Sequence, residues 1–177
     1  ATELYDKVKS AGTATVTKAE RKEKTEETPL LYDLTTLQKE ANAKHGFTAE
    51  QTLEIAQKLY EKKLITYPRT GSRYIPEDVF AEIPKLLAFI GSLPEWKGKL
   101  QPKAVPTRRS LDGGKVTDHH ALLVTGEKPL FLSKEDSTVY HMIAGRMLEA
   151  FSEKCVKDTA TVTAECAGVE FVAKGSI

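Results

Sequence analysis

The period of the apolar pattern changes twice along this chain, and those changes restrict its fold more than any other feature. Residues 12–20 (GTATVTKAE) alternate β-branched and polar side chains, the period of a strand. From Leu34 to Phe151 apolar residues recur mainly at helical spacing. Residues 156–164 and 168–174 return to alternation and read as a β-hairpin. The expected class is α+β, with a helical domain inserted between strands of an incomplete β-rich domain. The boundaries predicted are 1–31 for the first β-rich part, 32–127 for the helical domain, and 128–177 for a helix plus strands that return to the β-rich part.

Local signals place the helices. Residues 1–9 read as a short helix. Leu34, Leu37 and Ala41 share a face, and Gly46 stops that helix. Thr48 and Gln51 have the spacing of a capping box, in which each side chain satisfies the other residue's backbone N–H. Leu53, Ala56, Leu59, Tyr60 and Leu64 follow at helical spacing, and Lys62-Lys63 supplies positive charge at the negative end of the helix dipole. Pro76 opens a helix over 77–90, with a bend or restart expected at Pro84. Residues 100–118 hold Pro102, Pro106, Gly113 and Gly114 and read as a long loop, basic through Lys103, Arg108, Arg109 and Lys115. A second amphipathic helix spans Ser133 to Phe151, with Val139, Ile143, Met147 and Ala150 on its apolar side. The charged run 21–30 is expected as an exposed strand end or linker. Trp96 is expected to cap a small apolar cluster, and Tyr74 and Phe80 to be core rather than base-stacking residues.

Composition removes several functional classes. Apolar residues make up 40% of the 177-residue chain, enough for a core, but no run approaches a membrane-spanning length. No basic-then-apolar leader is present, so no secretion signal is read. The two cysteines, Cys155 and Cys166, suit neither a disulfide framework nor a four-ligand zinc site. A reducing cytoplasm is the expected compartment. Net charge is only +1, so any contact with nucleic acid must come from local clusters rather than the whole surface. The chain starts at Ala1 without Met and stops at Ile177 straight after a strand-like run, the expectation being a segment of something longer.

Between the capped helix and the helix that Pro76 opens lies Ile65-Thr66-Tyr67-Pro68-Arg69-Thr70-Gly71-Ser72-Arg73-Tyr74. Pro68 and Gly71 make it a loop, which can present Tyr67 to a substrate. A phenol has a reference pKa near ~10 and needs help to act as a nucleophile at neutral pH. Arg69 and Arg73 are close in sequence, and a guanidinium can clasp phosphate oxygens and stabilise charge building on a phosphate under attack. Tyrosine with nearby arginine is thus a sensible set for forming a phosphotyrosine ester. On these residues alone the signal is weak, and a packing or turn role for Tyr67 is the stronger reading. Adjacent His119 and His120 point in different directions in extended chain, and no third ligand lies at metal spacing, so no metal site is expected. Gln57 reads locally as an ordinary helix residue, and Arg73 as either a surface charge or a phosphate contact.

Residues 34–80 resemble the active-site region of type IA DNA topoisomerases, most closely the bacterial topoisomerase III branch. ITYPRTGS at 65–72 is similar to the family's Ile-Thr-Tyr-Pro/Met-Arg-Thr/Ser-Asp-Ser stretch, and TDHHALLVTG at 117–126 to its His-His-Ala-Ile-Ile-Pro-Thr segment. Tyr140, Ile143 and Arg146 fall in a helix that resembles the family's next one, so the likeness covers most of residues 30–151. Two positions depart from the pattern: Gly71 stands where the family usually has Asp, and Val124 where it usually has Pro.

The resemblance implies specific roles. Tyr67 would attack a phosphorus and hold the 5′ end of a cut strand, and Arg69 would support Tyr67 and the scissile phosphate. His119, His120, Gln57, Arg73 and Ser72 would contact DNA, chiefly single-stranded. Resealing reverses the ester, so no ATP is implied. Mg2+ would be held by Asp and Glu residues of a separate domain outside this chain, and the fragment alone would have little activity. The other partners implied are the remaining domains of the same polypeptide, in a bacterial cytoplasm alongside the nucleoid. The β-rich ends would form part of an arch and hinge, with hinge positions in 21–30 and 126–132. The alternative is a single-stranded DNA-binding module without chemistry.

Overall fold

The computed structural model describes residues 2–98 and 106–177. Lys103 and Pro102 of the expected basic loop lie outside the described residues. Chain contacts divide the molecule into two compact units, residues 1–27 with 154–177 and residues 28–153.

The first unit holds α1 (Thr2–Ala11), β1 (Thr15–Glu26) and, after the second unit, β2 (Cys155–Cys166) and β3 (Val169–Ser176). The strands form an antiparallel sheet in the order β1-β2-β3. β1 runs from Thr15 opposite Glu165 to Glu26 opposite Cys155, with an irregularity between Val16 and Lys18. The charged residues 21–26, expected at a strand end or in a linker, therefore continue the strand. Cross-strand charge explains why: Arg21 pairs with Asp158, and Lys157 reaches Glu26 at 2.6 Å. β2 and β3 join through Ala167-Gly168, both at positive φ (55° and 78°), the geometry a two-residue hairpin turn demands.

The second unit holds α2 (Leu34–His45), α3 (Ala49–Glu61), α4 (Glu77–Ser92) and α5 (Lys134–Ala150), with a 3-10 turn at Gly113–Lys115. Asp33 caps α2 by accepting from Thr36 N, and Gly46 ends it in the left-handed region at φ 72°. Thr48 and Gln51 form the reciprocal capping box at the start of α3. Ser133 caps α5 by accepting from Asp136 N. α4 continues through Pro84, whose side is exposed, rather than restarting there. α5 buries Val139, Ile143, Met147 and Ala150 in the core that also holds Leu37, Ile55, Leu59, Ile83 and Ile90. That burial makes α5 part of the helical unit. The unit boundaries fall at 27/28 and 153/154, not at 31/32 and 127/128. Trp96 does pack on this core, its ring 3.4 Å from where a side chain on Gly145 would begin.

Three irregular segments close over the helices. Tyr32 bridges Leu122, Ile65 bridges Val124, and Ile75 bridges Leu111. Ala121 through Val124 are all buried, as the apolar run suggested. Val124 N–H donates to Met147 Sδ at 3.2 Å, a contact that the proline usual in the family could not make.

Candidate active site

The loop that carries Tyr67 begins with a helix reversal. Lys63 N–H donates to Tyr60 O at 2.8 Å and Leu64 N–H to Leu59 O at 2.9 Å, closing α3. Lys63 itself sits at φ 60°, in the region that favours glycine. The chain then enters the core through buried Leu64 and Ile65.

Thr66 is the anchor. Its N–H donates to Leu123 O at 2.9 Å, and its hydroxyl accepts from Leu123 N–H at 3.0 Å and reaches Ala121 O at 3.3 Å. Thr125 N–H donates to Leu64 O at 3.1 Å on the same pair of segments. Four residues on, Thr70 hydroxyl donates to His119 O at 2.8 Å, and Leu34 N–H donates to Thr70 O at 3.1 Å. Tyr67 is thus held between two threonine anchorages, half-buried Thr66 and buried Thr70, while its own side chain stays partly exposed.

The rings of Tyr67 and His119 lie 4.5 Å apart, centroid to centroid, at 52°. Tyr60, in the last turn of α3, meets Tyr67 edge-on at 5.3 Å and 77°. No hydrogen bond involves the Tyr67 hydroxyl, and no ion pair or hydrogen bond occupies exposed Arg69, among the described residues. The polar groups that would act on a phosphate are therefore uncommitted.

The other expected site residues divide. His120 is half-buried, and its Nδ1 lies 2.8 Å from Ala121 O. Gln57 lies one turn before Tyr60 on α3, and its amide donates to Glu61 at 3.1 Å. Arg73 is half-buried and donates through Nε to Leu31 O at 3.1 Å. Ser72 corrects the expectation of a DNA contact. It is 3% exposed, and its hydroxyl donates to Lys115 O at 2.9 Å and accepts from Tyr74 N–H at 3.1 Å. It fastens the loop from inside, as a short hydroxyl beside glycine often does. Tyr74 is half-buried with Lys115 4.8 Å above its ring, and Phe80 packs on Phe151 at 6.2 Å. Gly71 is exposed, and a side chain there would meet nothing within 4 Å.

The site residue missed from sequence is Tyr60. Its position in an amphipathic helix resembles that of any apolar helix residue, and only the tight reversal at Lys63 returns the chain to it.

A model of the family described as DNA topoisomerase matches residues 1–177. DNA topoisomerase 3 of Bacillus cereus is 35% identical over 168 residues, covering 92% of this chain and 23% of that protein. DNA topoisomerase 3 of Bacillus subtilis is 36% identical, covering 83% of this chain and 21% of its own length. The chain thus spans about a quarter of the length of the curated relatives it matches. Full-length topoisomerase I of Thermotoga maritima shares the fold at 22% identity, with a TM-score of 0.64 over 93% of this chain and 27% of that one. With the match running along the whole chain, and relatives 35% identical over 92% of it, the chain belongs to the type IA DNA topoisomerase family.

Proposed function

We propose that this chain carries the strand-cleaving tyrosine of an ATP-independent type IA topoisomerase. Tyr67 Oη forms a bond to a backbone phosphorus, the bond from phosphorus to the 3′ oxygen breaks, and that oxygen leaves with a proton as a 3′ hydroxyl. The 5′ end stays on Tyr67 until the 3′ hydroxyl attacks and reverses the exchange. The observation that carries the proposal is the uncommitted Tyr67 hydroxyl, on a loop fixed at both ends, with the His119 ring 4.5 Å away.

Each neighbour has a chemical part. Arg69 stabilises charge on the phosphate, His119 contacts the backbone beside it, and His120 and Gln57 extend the contact to the flanking strand. Arg73 holds the loop through Leu31 O and presents its remaining N–H groups to DNA. The substrate is single-stranded DNA, in a bacterial cytoplasm. No helix among the described residues is long and apolar enough to cross a membrane.

Mg2+ belongs to the proposal through the rest of the polypeptide. Among the described residues no group of three or more His, Cys, Asp or Glu could hold a metal ion. The sheet unit would serve as part of a β-rich arch into which the helical unit is inserted. Hinges then fall where the chain passes between units, at 27–28 and 153–154, rather than at 126–132, which lies within the helical unit.

The test uses the full-length polypeptide, single-stranded DNA and Mg2+, with denaturant added to trap the adduct. A protein–DNA adduct that disappears in Tyr67→Phe supports the proposal. An adduct that survives the substitution removes Tyr67 as the nucleophile. DNA binding with no adduct in the parent protein favours a non-catalytic binding module.

A further inference from the structure

We propose that Tyr60 is a positioning residue for Tyr67, acting through its ring rather than its hydroxyl; this rests on Tyr67 being the nucleophile. Tyr60 meets the Tyr67 ring edge-on at 5.3 Å and 77°, the arrangement in which a positive ring edge faces a negative ring face. His119 meets the same ring at 4.5 Å. Tyr60 and His119 form no ring contact with each other among the described residues, so each meets the Tyr67 ring independently.

The backbone alone leaves the phenol free. Thr66 and Thr70 fix the loop, but rotation about the Tyr67 side-chain bonds is not limited by any hydrogen bond to its hydroxyl among the described residues. The two rings supply that limit. Tyr60 is well placed to do so, because its own backbone carbonyl accepts from Lys63 N–H in the reversal that leads into the loop. Its hydroxyl has no hydrogen-bond partner among the described residues, and Tyr60 is 39% exposed. A large aromatic ring kept half in water, without a partner for its hydroxyl, gains its role from the ring face or edge.

An in-line displacement needs the attacking oxygen aligned with the bond that breaks, and a misplacement of about 1 Å can cost on the order of 100-fold in rate. Loss of one of two ring restraints is a smaller disturbance. Single-turnover cleavage of saturating single-stranded DNA, measured in the full-length polypeptide with Mg2+, is expected to slow about tenfold in Tyr60→Ala. Tyr60→Phe is expected to stay within about twofold of the parent, since it keeps the ring. The Kd for DNA and the Tm of both variants are expected to match the parent, which separates positioning from folding or binding.

Parent-like cleavage in Tyr60→Ala overturns the proposal. So does a Tyr60→Phe as slow as Tyr60→Ala, which would assign the effect to the hydroxyl, or a loss explained wholly by weaker DNA binding. An adduct persisting in Tyr67→Phe, run alongside, would instead reject the nucleophile itself.

Discussion

Two arginine-and-tyrosine clusters in the helical unit have opposite designs. In one, Arg146 is 8% exposed and fully engaged: it pairs with Glu40, reaches Glu149 at 3.2 Å, donates to Leu30 O at 3.2 Å, and lies 4.1 Å from the Tyr32 ring centroid. Tyr32 in turn donates its hydroxyl to Glu40 at 2.8 Å. In the other, Tyr67 and Arg69 keep their polar atoms unpaired among the described residues, beside the exposed His119. The same residue types are spent on structure in the first and left available in the second. A buried charge must be paired to be tolerated, whereas a group at the surface is kept solvated by water until a ligand replaces it.

Titration follows the same division. Burial acts to raise the Glu40 carboxyl, but hydrogen bonds from Lys44, Arg146 and Tyr32 outweigh it and hold the pKa down at about 2. Burial, then the bond to Glu40, pushes the Tyr32 phenol well above its ordinary value. Tyr140, wholly buried with an unpaired hydroxyl, is pushed up to about 12 by burial and then by Glu95. A phenol in either setting is unsuited to nucleophilic attack.

The comparison is broken most directly by Tyr67→Phe. It should abolish the trapped adduct, a loss of at least about 1000-fold, with Tm unchanged because no hydrogen bond is removed. The arginines should behave inversely. Arg146→Ala should destabilise the chain by about 3 kcal/mol in urea unfolding, by breaking a buried network that joins Glu40, Glu149 and Leu30 O. Arg69→Ala should change stability by less than about 0.5 kcal/mol. In the full-length polypeptide, however, it should slow cleavage about 100-fold. Equal stability costs for the two would erase the distinction.

Acid sharpens it further. The folded pKa of Glu40 lies below the ordinary 4.5, so its contribution is complete above about 4.5 and is lost as pH falls through about 2. Stability measured by urea unfolding between those values should fall less steeply in Glu40→Gln than in the parent chain. An unchanged slope would remove Glu40 from the cluster's energetics.

Smaller effects are expected at the loop entrance. Lys63→Gly should stabilise the helical unit by about 0.5–1 kcal/mol, since a lysine at φ 60° is strained there. Smallest of all, Gly71→Asp should shift stability by less than about 0.5 kcal/mol, because the added side chain enters open space. Thermal melts with full reversibility would check both, and a large loss in the second would show that the loop depends on glycine.

Much of this was legible in the sequence, where local chemistry decides. Capping at Thr48, the stop at Gly46 and the apolar face of the helix after Ser133 all follow from short-range rules. The ownership of that last helix did not, because an apolar face shows that a helix packs but not on what. Ser72 was misread for a related reason: a serine in a loop looks exposed until Lys115, far along the chain, supplies a carbonyl to it. The Arg146–Glu40–Tyr32 cluster joins residues over a hundred positions apart, beyond the reach of any spacing rule. At the site, motif order pointed to Tyr67 and His119, while the ring from Tyr60 required the fold.

Thr66 has a mechanical consequence on the proposed function. A DNA end joined to Tyr67 would pull on the loop whenever the cut strands separate. The residue next in line for that tension is Thr66, tied by backbone and hydroxyl bonds to Leu123 and Ala121, with Thr125 bonded to Leu64 just behind. Several bonds along one short segment share the load instead of yielding one after another. The hook would hold while the helical unit moves, and the tyrosine would return to its starting place when the strain is released.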